Sequence, residues 1–474
     1  MANWYHRNPL KATSKVTFDL GLVATTVPAR SICHELGALR QRLLKLLVDP
    51  ALDPETIRPD LQQYLSLLMG FVTAPDNSQH TMSQLRGLIL FKWTDSVQPK
   101  STPAMMEPDA MFELCSMLFL WGLWLTKHAA KVCSKEEVKQ DEAKDVHLSL
   151  RQAAGIFKLI RDKYAPNLQS QPKPDHDLHM DILETYVNQC LAEAQEVTVA
   201  RAIELKHEPS LIAALAKETA RAYERADLAL RPCDPKLMAK WSKYMEFKQW
   251  CFETCAHIYY AEQLLKEEKV GAGLAVLTGA DESYKKALEM AKLYGRSEGI
   301  GVSAKPAEHC FFRRLGTQIT QTRRKLEREN GLIYHQRVPG SAPAFTLKAQ
   351  YGISEPMEPE FDFTPDERWK TAYGAFDLNK MPEEVIDRKV RAKHSKEKPD
   401  NEAAVEPVHE KPIFPTDKDP KNESGCPQLS RTAFVIKYAS KRSRNGQFFV
   451  IESISLQSYI KSAFNLNDSC LPMQ

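Results

Sequence analysis

The stretch LETYVNQCLAEAQEVTVARAIELKHEPSLIAALA, residues 183–216, decides the fold. Leu183, Tyr186, Val187, Cys190, Leu191, Ala194 and Val197 recur at three- and four-residue spacing, so they line one stripe of an α-helix that continues through Ala202 and Leu205. His207-Glu208-Pro209 breaks the stripe, and Pro209 suits the first turn of a second helix opened by Leu211, Ile212, Leu215 and Ala216. Two helices joined by so short a break read as a helical hairpin.

The same spacing runs outward from about residue 30 to 330, with almost no alternating β-branched runs, which predicts an all-α body. Small residues recur beside aromatics in Ala256-His257-Ile258-Tyr259-Tyr260-Ala261 and again from Tyr284 to Ala291. This pattern suits stacked hairpins of the tetratricopeptide type, although no strict repeat of about 34 residues is present. The strongest apolar run, Leu114–Leu125, is 12 residues long, whereas a membrane span needs about 20; it predicts a buried helix.

Of the 474 residues, 64 are Lys or Arg and 61 Asp or Glu, a net charge of +3. Residues 426–474 hold six basic and two acidic residues, so the rest of the chain is close to neutral. That excludes nucleic-acid binding by bulk charge, which requires a clear basic excess. Residues 380–425 carry 21 charged residues and six prolines with Phe414 as the one aromatic, a composition that predicts a disordered linker over 378–425. In the tail, 426–474, two short β-branched and aromatic runs flank Asn445-Gly446, giving a hairpin signal that is marginal in isolation. Ten cysteines without a CxxC pair, and an amino terminus lacking an apolar core, predict reduced thiols and a cytoplasmic protein.

Catalytic motifs are missing: no GxGxxG, P-loop, HExxH or GxSxG is present, so no enzyme activity, cofactor or metal is expected. Gly271-Ala272-Gly273 reads as a loosened hairpin turn. His309-Cys310 with Arg313 and Arg314 suggests a phosphatase thiolate, but Phe311 and Phe312 replace the small residues of a phosphate loop. The cluster Asp175-His176-Asp177-Leu178-His179-Met180-Asp181 contains metal-ligand types and reads more simply as a polar loop entering a helix. Arg313, Arg314, Arg323, Arg324 and Lys325 read as a solvated helix face.

Four motifs in order carry a resemblance: Arg7-Asn8-Pro9-Leu10-Lys11-Ala12-Thr13, Phe91-Lys92-Trp93-Thr94-Asp95, Ala192-Glu193-Ala194-Gln195-Glu196-Val197 and Gly331-Leu332-Ile333-Tyr334-His335-Gln336-Arg337-Val338-Pro339. Over roughly residues 1–377 the chain resembles the Bro-domain family that includes Alix. The resemblance implies a boomerang-shaped Bro domain with a tetratricopeptide-like helical hairpin core, and a non-enzymatic ESCRT adaptor. Its partners would be the carboxy-terminal amphipathic helices of charged multivesicular body proteins, the polymer-forming subunits of ESCRT-III. A cytoplasmic pool recruited to endosomal or nuclear-envelope membranes would follow, with membrane association indirect or weak. The same helical features also suit a general scaffold in trafficking or signalling that uses another surface.

By the same resemblance the groove for the partner helix falls on Thr198, Leu211 and Leu215. Leu211 and Leu215 are i and i+4, hence on one face. Thr198 stands where Alix-like members usually have an aromatic. Lys144 matches the basic residue that meets the ligand carboxylates, while Gln140 stands where Alix carries Asp. Tyr351 would face the partner, and Tyr334 matches a position of phosphorylation in Alix-type proteins. Closely similar members end soon after such a linker in a prenylated CaaX box. Cys426 corresponds to that cysteine, but Pro427 and further residues follow it, and the last four are Leu471-Pro472-Met473-Gln474. Lipidation at Cys426 is thus expected only for a shorter chain.

Overall fold

The chain enters its first hairpin through α1 (Val27–Leu46) and α2 (Pro54–Val72). The Asp53 carboxylate accepts the Glu55 N–H at 2.9 Å, and Pro54 occupies the first turn, so α2 is both capped and started by sequence. The computed structural model describes residues 4–75, 82–135, 138–380, 405 and 408–413. Next comes a small antiparallel pair, β1 (Phe91–Trp93) and β2 (Met105–Glu107), with Lys92 opposite Met106. At three residues each, these strands are too short for alternation to register in the sequence.

The apolar run lies inside α3 (Ala110–Cys133), whose 24 residues make it long and apolar enough to cross a membrane. Its apolar window is instead wholly buried in the protein, between neighbouring helices. Five more helices follow: α4 (Gln140–Leu159), α5 (Met180–Glu204), α6 (Pro209–Leu230), α7 (Pro235–Lys266) and α8 (Val270–Arg296). Each packs on the one before it from α3 to α8, giving stacked hairpins around one core. The α5–α6 and α7–α8 turns share one cap: His207 N–H bonds Ala202 O at 3.0 Å, and Lys269 N–H bonds Leu264 O at 2.8 Å. Lys206 and Glu268 take the left-handed conformation there, at φ 54° and 59°. Glycine usually fills that position, so neither stop carries its usual signal.

Gly271 and Gly273 lie within the first turn of α8 and not in a loosened turn. Their reason is close approach: a Cβ on Gly271 would stand 2.5 Å from Arg337 O, and one on Gly273 2.7 Å from Leu326 Cδ2. After α9 (Cys310–Glu329) the chain turns at His335, φ 48°, and runs extended back along the body. It ends its return in α10 (Trp369–Ala372), where the fully buried Trp369 ring lies against Gly70.

Within the span predicted as a linker, Val408–Ile413 is seated on the body, with Ile413 only 4% exposed. Cys426 and the hairpin signal around Asn445-Gly446 lie outside the described residues.

Candidate functional site

Before any open surface, the first three of the four sequence motifs build a buried polar frame, while Gly331–Pro339 lies largely exposed. Arg7 forks onto Glu193 at 2.8 and 2.6 Å, and Glu193 also accepts from Tyr244 and Gln189. One turn on, Glu196 accepts from Lys248 Nζ and Trp4 Nε1, each at 2.6 Å, and from the Tyr223 hydroxyl. Burial pushes the Glu196 carboxyl up and the Lys248 ammonium down, each opposed by the charge of the other. The second motif behaves alike: Trp93 Nε1 donates to Glu113 at 2.6 Å, and Glu113 pairs with Arg40 at 2.8 Å. These residues pin the amino-terminal segment and the loops to the helical stack. They are structural, since every charge in the frame is buried and matched.

The Asp175–Asp181 segment, read as a polar loop entering a helix, joins the same frame. Asp177 pairs with Lys11 at 2.8 Å and accepts from Ser96, while His176 pairs with Asp95 at 2.8 Å. Cys310 is the first residue of α9, and the preceding His309 caps the helix by accepting the Phe311 N–H. Phe311 and Phe312 continue directly into the helix, which leaves no loop of amides to cradle a phosphate. Both phenylalanines pack in the core, on Phe252 and Phe247.

The extended segment after His335 decides the shape of the candidate partner groove. It crosses α5 and α4 in turn, held by backbone-directed bonds: Gln195 Nε2 to Gly352 O at 2.7 Å, Ser354 N–H to Gln195 Oε1 at 2.6 Å, and Met357 N–H to Arg151 O at 3.0 Å. Gly352 sits at φ 75°, and a Cβ there would meet Thr198 Cγ2 at 3.4 Å and Leu215 Cδ2 at 3.5 Å. Thr198 and Leu215 therefore do converge, but beneath the backbone of Gly352. Leu215 is 2% exposed and forms floor, not open surface. Leu211, one turn before it on α6, is half-buried and packs against the same core.

Tyr351 and Ile353 flank Gly352 and are exposed at 42% and 51%. On α4, Leu148 is also exposed and lies one turn beyond Lys144 on the same flank. Lys144 is half-buried, and among the described residues its ion pair is a 3.4 Å contact to the solvated Asp141. It lies three residues before His147, whose Nε2 meets the Ser354 hydroxyl at 3.3 Å, so the lysine stands near the crossing segment. Burial holds the His147 imidazole down at about 3, with Arg151 adding to the shift. Tyr334 ends the short turn after α9, half-buried against the core. Sequence reasoning missed Ile353, Leu148 and Gly352; the positive φ needed at Gly352 follows from a crossing that no spacing announces.

A separate cavity of about 200 Å³ opens elsewhere, lined mainly by apolar groups including Trp4, Tyr5, Cys133, Val146, Val197 and Phe311. It shares none of the groove residues.

The sequence profile of the BRO1-like domain matches residues 28–367. The chain is 44% identical to the human BRO1 domain-containing protein BROX over 384 residues, covering 81% of this chain and 93% of the relative. It is 41% identical to the zebrafish (Danio rerio) protein of that name, covering 90% of this chain and 99% of the relative. Among solved structures, one described as the structural basis for endosomal targeting by the Bro1 domain aligns with a TM-score of 0.57 at 19% identity, over 83% of this chain and all of that one. A complex of the ALIX BRO1 domain with CHMP4C aligns with a TM-score of 0.56 at 20% identity, over 75% of this chain and 97% of that one. At these identities the structural matches speak to fold alone.

Proposed function

Because this chain belongs to the BRO1-like domain family, we propose that it is a non-enzymatic ESCRT adaptor that takes the carboxy-terminal helix of an ESCRT-III charged multivesicular body protein. The helix would lie over the crossing at Gly352. Leu211, Tyr351 and Ile353 offer apolar contact, Thr198 and Leu215 support them from below, and Lys144 meets acidic side chains at the rim. The observation that carries this reading is the convergence of Thr198, Leu215 and the Tyr351–Ile353 turn at one place, where Tyr351 and Ile353 are exposed. Exposed aromatic and aliphatic anchors beside a basic rim suit an amphipathic acidic helix. The solved ALIX BRO1–CHMP4C complex, on the same fold, supports the partner class.

Recruitment to endosomal or nuclear-envelope membranes would follow from the partner and not from a lipid-binding surface of the adaptor. Calorimetric titration of the full chain with an ESCRT-III tail-helix peptide tests the site. Tyr351→Ala and Leu211→Asp should each weaken binding at least tenfold without loss of helicity; affinity unchanged in both removes the groove assignment. Leu215→Asp is a poor probe, since it would bury a carboxylate in the core.

A further inference from the structure

Lys127 is an anomaly in α3. The helix is buried along its length, and this lysine is 1% exposed. A buried ammonium needs a carboxylate, and the described residue that supplies one at ion-pair distance is Glu410, at 2.8 Å, from a part of the chain whose composition predicts no structure. Burial lowers the affinity of Lys127 for its proton, and Glu410 opposes the shift.

The surrounding contacts make a built site. The other oxygen of Glu410 accepts the Leu10 N–H at 2.6 Å. Lys411 donates its backbone N–H to Val48 O at 3.0 Å, and its ammonium pairs with Asp49 at 2.6 Å. Pro412 has no N–H to satisfy, and its carbonyl accepts Lys131 Nζ at 3.1 Å. Ile413 enters the core, and its carbonyl accepts the Ser134 hydroxyl at 3.5 Å. Four consecutive residues are thus read by the amino-terminal segment, the turn between α1 and α2, and the end of α3. Each of the four has a different chemical reason to be there.

We propose that this face is a dedicated docking site for an extended peptide of the pattern Glu-Lys-Pro-aliphatic, with one charge of each sign, occupied in cis by Glu410–Ile413. Specificity rests on the Glu410 carboxylate, which among the described residues is the one that pairs with the buried lysine, and on the Ile413 side chain.

The test uses the full chain. Zero-length carbodiimide coupling should join Lys411 to Asp49, and mixing isotope-labelled with unlabelled chains distinguishes the source of the peptide. Hydrogen exchange then compares wild type with Glu410→Lys and, independently, Ile413→Asp. Coupling within single chains is expected, with the Lys411 amide exchanging at least tenfold faster in both variants while α3 stays protected. Equal exchange in wild type and variants overturns the site. Coupling between labelled and unlabelled chains overturns occupancy in cis. Loss of protection throughout the helices in both variants overturns the proposal as well, because a docking peptide must be removable from a folded body.

Discussion

Lowering the pH from 7 to 5 should destabilise this protein partly through His147, by an amount the geometry allows to be worked out. The imidazole is 7% exposed, lies on α4 beneath the crossing segment, and is held at about 3 against an ordinary value of 6.5. In the unfolded chain it takes a proton as the pH falls through 6.5; in the folded protein it stays neutral until about 3. A depressed folded value therefore acts against stability on acidification: nothing is lost well above 6.5, the loss grows below it, and it is complete near 3. Between pH 7 and pH 5 the difference amounts to about 2 kcal/mol. The assay is urea denaturation followed by far-ultraviolet circular dichroism at both pH values, on wild type and His147→Gln, which retains a polar partner for Ser354 and does not titrate. His6 and His309 are likewise buried and held at about 3, but they are common to both proteins and cancel in the difference. The pH-dependent loss should be larger in wild type by about 2 kcal/mol. A difference under about 0.5 kcal/mol would refute the burial argument for His147.

Gly155→Ala, which in an ordinary helix interior would stabilise by about 1 kcal/mol, should instead destabilise, because the new Cβ would fall 1.7 Å from Met357 O. Thermal denaturation checks the sign, and a raised midpoint contradicts the fitted crossing. Glu196→Ala should cost about 3–5 kcal/mol by stranding the buried Lys248 ammonium, and adding Lys248→Met should recover part of that loss; urea titration of single and double variants measures it. Lys144→Glu should weaken the tail-helix peptide at low salt by about tenfold, or 1.4 kcal/mol, with the difference shrinking as salt rises; an unchanged titration would place the acidic contacts elsewhere.

Most helices were legible because their signals are local. The stripe from Leu183 to Val197 is set by 3.6-residue periodicity within one segment, and Pro209 and Pro54 mark starts through their own backbone chemistry. The candidate groove was legible only in part. Leu211 and Leu215 lie on the helix face expected, yet whether such a pair is surface or floor depends on what crosses above it. That crossing is made by residues 352–357, far along the chain, where Gly352 and Ser354 bond Gln195 and the Met357 N–H bonds the backbone of Arg151.

Sequence alone thus determined an all-α stack of hairpins, its near-neutral surface and its membership signals, since periodicity, capping and composition are properties of neighbouring residues. Tertiary structure alone decided what those signals do. Arg7 and Glu193, or Trp93 and Glu113, have no spacing relation, and their types explain themselves only when burial brings opposite charges and donors together. The same reason hid Glu410. Within a highly charged segment one carboxylate looks like any other, until a lysine buried in α3 requires it as the counter-charge.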